Sequence, residues 1–252
     1  MGICLMILKQ NNRLEKFHSI FIFKNIKAGN QMMNMGLAVV MGALGLVAGF
    51  FAPLLARKTI IYKYAKKNKE FVEDKRFTGS LLKVGSALFN AAGWAVIGFF
   101  AKNPFSAVLL SLLWTMAIII AVIDVRVHMI PNETVLAVAA LGIFFQLSYF
   151  GVTGLLYSAI SIIAVMVAFT VLAGIMGFGV SVGAGDVKLA GAMGLVLGYP
   201  YILHGLLAMS ALMIVYCIIG LLTKRLTLKS MFPFAPFMMA GMTVAIIAIL
   251  LG

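Results

Sequence analysis

The sequence is poor in acidic residues. Its 252 residues include seven Asp and Glu against 20 Lys and Arg. Beyond residue 74 the acids are Asp124, Glu133 and Asp186. A charged side chain at membrane depth costs roughly 2.5–3.5 kcal/mol on insertion scales. Because the apolar part of the chain retains so few acids, those that it does retain are candidates for function.

Cysteine is scarce as well. Cys4 and Cys217 are the two in the chain, and neither belongs to a CxxC pair. This spacing excludes a zinc ribbon and gives no basis for a structural disulfide. An excess of basic charge can indicate nucleic-acid binding. Here the basic residues lie in loops between apolar runs, where the positive-inside rule accounts for them, so we expect no nucleic-acid partner.

Apolar residues are abundant. They make up 63% of the chain, and the mean hydropathy is +1.10. No soluble domain needs so much apolar sequence, and several runs are long enough to cross a bilayer as helices. The sequence therefore predicts an all-α, polytopic transmembrane helix bundle of about eight spans. The predicted spans are 34–56, 84–101, 106–124, 133–150, 155–177, 187–198, 201–222 and 234–251.

The predicted organisation is a single membrane-embedded domain over residues 34–252. A basic loop at 57–83 holds nine Lys and Arg and is expected to bind anionic lipid. Residues 1–33 carry five Lys and Arg and no apolar run of span length. We interpret them either as a basic leader or interfacial segment, or as an extension that precedes the true start at a later methionine.

The basic residues also predict the orientation. Beyond residue 33, nearly all Lys and Arg are in or beside the loops that follow the first, third, fifth and seventh spans, and the other loops hold only Lys102. The positive-inside rule places the first set of loops in the cytoplasm. Asp124 ends the third span, Asp186 opens the sixth, and two crossings separate them. Both aspartates are therefore expected at the cytoplasmic face.

A pair of carboxylates in one site can divide acid and base work, since both cannot easily be ionised together. The ionised one takes a proton from water, the protonated one donates to a substrate carbonyl, and the pair titrates as a unit. Asp186 opens a predicted helix, whose N-terminus favours negative charge, whereas Asp124 ends one. We therefore assign the shared proton to Asp124 as a hypothesis. The structural alternative is that Asp186 only caps its helix and that Asp124 pairs with Arg126 or lies among hydrated lipid headgroups.

The residues around the two aspartates suggest how substrate is handled. Gly183 and Gly185 remove side chains where the backbone could take a positive φ or approach an extended peptide. Lys188 is a candidate for steering substrate, with snorkelling to the membrane surface as its simpler explanation. Pro131 is expected to set the turn into the fourth span.

Two motifs and a terminal segment occur in a characteristic order: IDVRVHMIPN, then GAGDVKLAGAMG, then FPFAPF at 232–237. In these features, and over about residues 34–252, the chain resembles the type IV prepilin peptidases, the GxGD aspartic proteases of the membrane. The matching positions are Asp124, Ile130, Pro131 and Asn132 in the first motif and Gly183, Gly185, Asp186, Lys188 and Leu189 in the second.

The resemblance implies a multi-pass protein of the prokaryotic inner (cell) membrane. It would remove short basic leader peptides from prepilin or pseudopilin precursors at the cytoplasmic face, with Asp124 and Asp186 as the catalytic pair. Hydrolysis would need no metal and no organic cofactor. The residues to which we assign substrate contacts are Gly183, Gly185, Lys188, Pro131 and Asn132.

Many members of that family also methylate the new N-terminus with S-adenosylmethionine. Their methylating region lies between the first two spans and often carries zinc-binding CxxC pairs. In this sequence loop 57–83 is short, basic and free of cysteine. We therefore predict a peptidase without zinc, for which S-adenosylmethionine matters only if methylation is retained.

Other functions remain open from the sequence. Presenilin-type GxGD proteases resemble YD in the first motif and PAL in a late span, whereas here Ile123 precedes Asp124 and no PAL occurs. A proton- or cation-coupled transporter would also use intramembrane acids, although such acids usually lie near the midplane rather than at a face. A non-catalytic membrane scaffold is the remaining alternative.

Overall fold

The structure is a computed structural model of the chain. It describes the backbone of residues 2–66, 68, 79–175, 183–224 and 233–251, and within these ranges the side chains from residue 34 onward, except those of 173 and 175. The described residues form eight α-helices and no strand, which confirms the predicted all-α bundle. The helices are α1 Gly2–Lys66, α2 Ser80–Phe100, α3 Pro104–Val127, α4 Asn132–Tyr149, α5 Gly151–Ile175, α6 Ala184–Leu197, α7 Tyr201–Leu222 and α8 Ala235–Leu251.

Six of the described helices are long and apolar enough to cross a membrane, judged by length and composition. They are α1 from Asn34, α2, α3, α4, α5 and α7. The two others match the remaining predicted spans but are shorter, with 14 residues in α6 and 17 in α8. At about 1.5 Å per residue, α6 reaches roughly 21 Å, which is less than the ~30 Å hydrocarbon core of a bilayer.

Helix α6 is enclosed by other helices. All its residues from Leu189 to Leu197 are buried, and it packs against α4, α5 and α8. Two glycines allow α5 to approach closely. A Cβ added at Gly194 would lie 3.0 Å from the carbonyl oxygen of Ser161, and one at Gly191 would lie 3.0 Å from the side chain of Met166.

Helix α1 continues ten residues beyond the predicted end of the first span, so the prediction that a loop begins at residue 57 is wrong. Its final part presents small and branched apolar side chains, four residues apart, to the end of α3. These residues are Ala52, Ala56 and Ile60 on α1 and Ile119 and Ile123 on α3. The interspersed basic residues do not end the helix because this apolar face continues to be buried.

Several predicted segments are covered only in part. Residues 67 and 69–78 of the basic loop, 176–177 of the fifth predicted span and 232 of the FPFAPF segment lie outside the described residues. The backbone of residues 2–33 is helical and continuous with the rest of α1, whereas their side chains are not described. Their interfacial location and the domain division at residue 33 stay predictions.

Hydrogen bonds between buried polar side chains join α1, α2 and α3. Asn90 donates to the carbonyl oxygen of Gly45 on α1 at 2.8 Å and accepts from Thr115 on α3 at 3.0 Å. The indole N–H of Trp94 donates to the same Thr115 hydroxyl at 3.0 Å. These bonds satisfy polar groups that would otherwise be costly in a membrane interior.

The end of α3 and the starts of α4, α6 and α8 meet at one end of the bundle, beside the final turns of α1. Contacts between these elements, described below, define this end. The opposite end carries aromatic residues: the hydroxyl of Tyr149 donates to the carbonyl oxygen of Ile249 at 3.4 Å, and the amine of Lys102 lies 5.4 Å from the centre of the Tyr149 ring.

Candidate active site

Asp124 lies in the last turn of α3 and is 5% exposed. Its Oδ2 atom accepts a hydrogen bond of 2.9 Å from the backbone N–H of Ala235, and the backbone of Phe234 also hydrogen-bonds to the carboxyl group. Ala235 is the first residue of α8. The Asp124 carboxyl group therefore occupies the N-terminus of a helix that is remote from it in sequence, where unpaired N–H groups favour a negative charge.

Asp186 is the third residue of α6 and is partly buried. Its Oδ2 atom accepts a hydrogen bond of 3.0 Å from the backbone N–H of Gly183. Asp186 therefore takes part in capping α6, but as the third helical residue and not as the predicted N-cap, a position that Gly183 occupies. This hydrogen bond occupies one carboxylate oxygen and does not remove the side chain from the site.

The two carboxyl groups lie close enough for their charges to interact. The negative charge of Asp124 repels that of Asp186. Both groups are also partly desolvated, so that ionising both together is unfavourable. The fold thus brings together the two aspartates that the sequence singled out.

Helix polarity does not favour Asp124 as the holder of the shared proton, because Asp186 is not alone in lying at a helix N-terminus. Asp124 ends α3, but its carboxyl group faces the start of α8 through Ala235. Since each carboxylate accepts a hydrogen bond at a helix N-terminus, helix polarity does not decide which of them holds the proton.

The two glycines of the second motif serve close packing within the chain. Gly183 has φ −65° and ψ 145°, and Gly185 lies within α6, so neither shows the positive φ that was considered. A Cβ at Gly185 would lie 3.2 Å from the Cβ of Ile130, and one at Gly183 would lie 3.0 Å from Oδ2 of Asp186. Gly185 therefore lets the start of α6 approach the turn that follows Asp124.

That turn connects α3 to α4. His128 ends α3 in the left-handed region, with φ 48° and ψ 43°, and its N–H donates to the carbonyl oxygen of Asp124 at 2.9 Å. Pro131 immediately precedes α4, and its carbonyl oxygen accepts hydrogen bonds from the backbone N–H and the hydroxyl of Thr134. The expectation that Pro131 sets the entry into this helix is confirmed.

Lys188 and Asn132 contact each other across the two motifs. The Lys188 amine donates to Oδ1 of Asn132 at 3.2 Å. Both side chains are exposed. Their predicted contact with substrate stays a prediction, and the structure adds a contact within the chain that the sequence did not suggest.

Two contributions to the site were missed by the sequence analysis. One is the start of α8, whose FPFAPF segment was noted as a motif without a function. The other is Lys63 near the end of α1, whose amine lies 3.3 Å from Oε2 of Glu133 in the first turn of α4. The four-residue spacing of Ala52, Ala56 and Ile60 was the signal that could have extended α1 as far as Lys63.

Among the residues that the structure describes, no three His, Cys, Asp or Glu side chains cluster as they would to hold a metal ion. The expectation of hydrolysis without a cofactor stays a prediction.

Residues 107–218 match the family model of the type IV leader peptidases. The resemblance to this family is confirmed. No curated protein and no solved structure gives a significant match to the chain.

The matched segment runs from α3 into α7 and contains both aspartates and both motifs. It excludes α1, α2 and α8, so the leader peptidase segment packs against helices that the family model does not cover. Together with the apolar helices, the match supports a leader peptidase-like protease in a membrane. It favours a peptidase over the transporter and the scaffold, and the type IV leader peptidases over the presenilin-type proteases.

Proposed function

We propose that this protein is an aspartic prepilin leader peptidase in which Asp124 and Asp186 jointly activate one water molecule. One observation carries the proposal: two carboxyl groups in the segment that matches the leader peptidases lie close enough for their charges to interact. Two aspartates that share a proton are a known arrangement for peptide hydrolysis.

The reaction would proceed by general acid–base catalysis. The ionised carboxylate takes a proton from the water as its oxygen attacks the scissile carbonyl carbon, and the protonated carboxyl group donates its proton to the carbonyl oxygen. The resulting tetrahedral intermediate collapses when its C–N bond breaks. The leaving nitrogen takes the proton that came from water, and one hydroxyl group of the intermediate returns its proton to the other carboxylate. The new carboxyl group is then released, with one proton again shared by the pair.

Backbone donors would hold the two aspartates during this cycle. The N–H groups of Ala235 and Gly183 each bind Oδ2 of one aspartate. Backbone groups at helix starts are fixed by the helix and cannot rotate away as side chains can. Such preorganised donors stabilise charge in an enclosed site without reorganising at the moment of reaction.

The proposed substrates are prepilin or pseudopilin precursors with a short basic leader followed by an apolar helix. In this proposal the apolar helix remains in the bilayer and the scissile bond reaches the aspartate end of the bundle from the side. We place that end at the cytoplasmic face of the prokaryotic inner membrane. The positive-inside rule supports this placement, since Lys63 and Lys188 lie at the aspartate end and Lys102 at the opposite one.

The test is leader cleavage by the purified protein reconstituted in vesicles with a prepilin. We expect cleavage by the wild type and none by Asp124→Asn or Asp186→Asn. The chain offers a matched control, because Asp74 is its one other aspartate and lies outside the segment that matches the family. Asp74→Asn is expected to cleave at the wild-type rate. Cleavage at that rate by either of the first two variants would contradict the proposal.

A further inference from the structure

The start of α4 is held from two sides by lysines of two other helices. On one side, the Lys63 amine of α1 lies 3.3 Å from Oε2 of Glu133, with the Lys63 side chain 18% and the Glu133 side chain 44% exposed. On the other side, the Lys188 amine of α6 lies 3.2 Å from Oδ1 of Asn132. Two helices therefore converge on two consecutive residues of a third.

Each lysine lies on a helix that is connected to one of the proposed catalytic aspartates. Helix α6 carries Asp186 itself, and α1 packs against the residue before Asp124. Lys188 follows Asp186 by two residues on α6. Lys63 follows Ile60 on α1 by three residues, and Ile60 packs in the same buried cluster as Ile123, which immediately precedes Asp124. The start of α4 is thus linked to both aspartate-bearing helices.

A third contact involves the turn just before these two residues of α4. Gly185 packs so closely on Ile130, in the turn before α4, that an added Cβ would lie 3.2 Å from the Cβ of Ile130. The turn from Ile130 to Glu133 is therefore contacted by both α6 and α1. It begins six residues after Asp124 and packs against the start of α6, which carries Asp186.

We propose that Lys63 and Lys188 are positioning residues that fix the Ile130–Glu133 turn and thereby set the spacing of the two aspartates. The proposal rests on the proposed function of the pair. It assigns Lys188 and Asn132 to the internal geometry of the site, where the sequence suggested contact with substrate. It also gives α1, outside the segment that matches the family, a role in catalysis.

The geometry favours positioning over snorkelling. A snorkelling lysine needs only water or lipid headgroups around its amine, whereas both of these amines meet acceptors within the chain. Exposed pairs of this kind contribute little to stability. Their effect on rate can be larger, because misplacing reacting groups by about 1 Å costs up to roughly a hundredfold in rate.

The first test separates positioning from substrate binding through kinetics. Lys188→Met removes the donor and retains the length of the side chain. We expect kcat to fall about tenfold while KM stays within about twofold, because the interaction acts on the transition state and not on substrate binding. Lys188→Arg, which keeps a donor, is expected to recover most of kcat. Lys102→Met at the opposite end is the matched control and should keep the wild-type kcat.

The second readout is the pH profile of kcat, which a merely structural contact would leave unchanged. The two apparent pKa values of a carboxyl pair are held apart by the interaction of the two charges. If Lys188→Met loosens the spacing, these two values move closer together. A higher KM with unchanged kcat and an unchanged pH profile would overturn the proposal in favour of substrate contact.

The third test concerns Lys63 and uses charge exchange. Lys63→Glu and Glu133→Lys each place like charges together, so each alone is expected to lower kcat several-fold. The double variant restores an opposite pair and should recover activity. Wild-type kcat in either single variant, or no recovery in the double variant while unfolding midpoints match the wild type, would overturn the role of Lys63.

The outcomes are distinguishable from a failure of the proposed function. If the wild type does not cleave, or Asp124→Asn and Asp186→Asn cleave normally, the aspartic peptidase itself is refuted. If the wild type cleaves and both aspartate variants are inactive, but the lysine variants match the wild type in kcat and pH profile, only the positioning role is refuted.

Discussion

The carboxyl group of Asp124 on α3 accepts a hydrogen bond of 2.9 Å from the backbone N–H of Ala235, 111 residues further along the chain. This bond is buried and joins the end of one helix to the start of another. It also connects the segment that matches the leader peptidases to α8, which lies beyond it. Asp124 therefore has a structural role in addition to the proposed catalytic one.

This double role predicts that two substitutions of Asp124 differ in stability. Asp124→Asn keeps an oxygen that can accept from Ala235, whereas Asp124→Ala leaves a buried N–H without an acceptor. An unsatisfied buried group costs about 1–3 kcal/mol, so the Ala variant should unfold more easily by about that amount. Both should be inactive. Chemical unfolding in detergent would show the difference, and equal stability of the two variants would argue against the cap on α8.

A second prediction concerns the close contact between Gly185 and Ile130. A methyl group at Gly185 would lie 3.2 Å from the Cβ of Ile130, so the start of α6 or the turn before α4 must shift to accept it. We expect Gly185→Ala to lower leader cleavage several-fold, up to about tenfold, through a small displacement of Asp186. The cleavage rate and the unfolding midpoint would be measured together.

The matched control for this glycine is Gly85 in α2, where an added Cβ meets no heavy atom within 4 Å. Gly85→Ala should retain the cleavage rate. It should leave stability unchanged or raise it by up to about 1 kcal/mol through helix propensity. Similar losses of activity in both variants would show that the effect is not specific to the site.

A third prediction is the pH dependence of cleavage. Because one proton must be shared, the pair is inactive when both aspartates are protonated and also when both are ionised. The rate should therefore rise and then fall with increasing pH, with the two limbs reporting apparent pKa values of the pair. A rate at saturating substrate that keeps rising with pH, without a basic limb, would be inconsistent with a carboxyl group that acts as the acid.

A fourth prediction concerns methylation. The loop between α1 and α2 contains no cysteine, in contrast to the zinc-binding pairs of methylating family members. We expect the mature product to carry an unmodified N-terminus in the presence of S-adenosylmethionine. Mass spectrometry of the product after incubation with and without S-adenosylmethionine is the measurement. An added methyl group would show that the activity does not require that cysteine-bearing region.

Much of the architecture could be predicted because membrane spans are encoded locally. Apolar runs indicated all eight described helices, although α1 extends well beyond its predicted span at both ends. The even number of crossings between Asp124 and Asp186 predicted that both lie at the same end. The motifs supplied the family, since glycine, proline and aspartate at fixed spacings are specific. These signals need no knowledge of which helices pack together.

The remainder depended on tertiary contacts. The end of α1 was misjudged because the basic residues obscured the apolar residues facing Ile119 and Ile123 of α3. The shared proton was assigned to Asp124 from the position of Asp124 at the end of α3 alone. The carboxyl group of Asp124 also caps α8, which the sequence did not indicate. The space available for a side chain at Gly185 is likewise limited by Ile130. The residues around Gly185 in the sequence do not predict that contact.

The most direct test of the aspartate pair is the leader-cleavage rate of Asp124→Asn, Asp186→Asn and the double variant, each compared with the wild type. Groups that act as a unit show strongly non-additive losses. We predict that each single variant loses at least about a thousandfold and that the double variant is no slower than the singles. A single variant that retains the wild-type rate, or a double variant whose loss is the product of two modest single losses, would contradict catalysis by the pair.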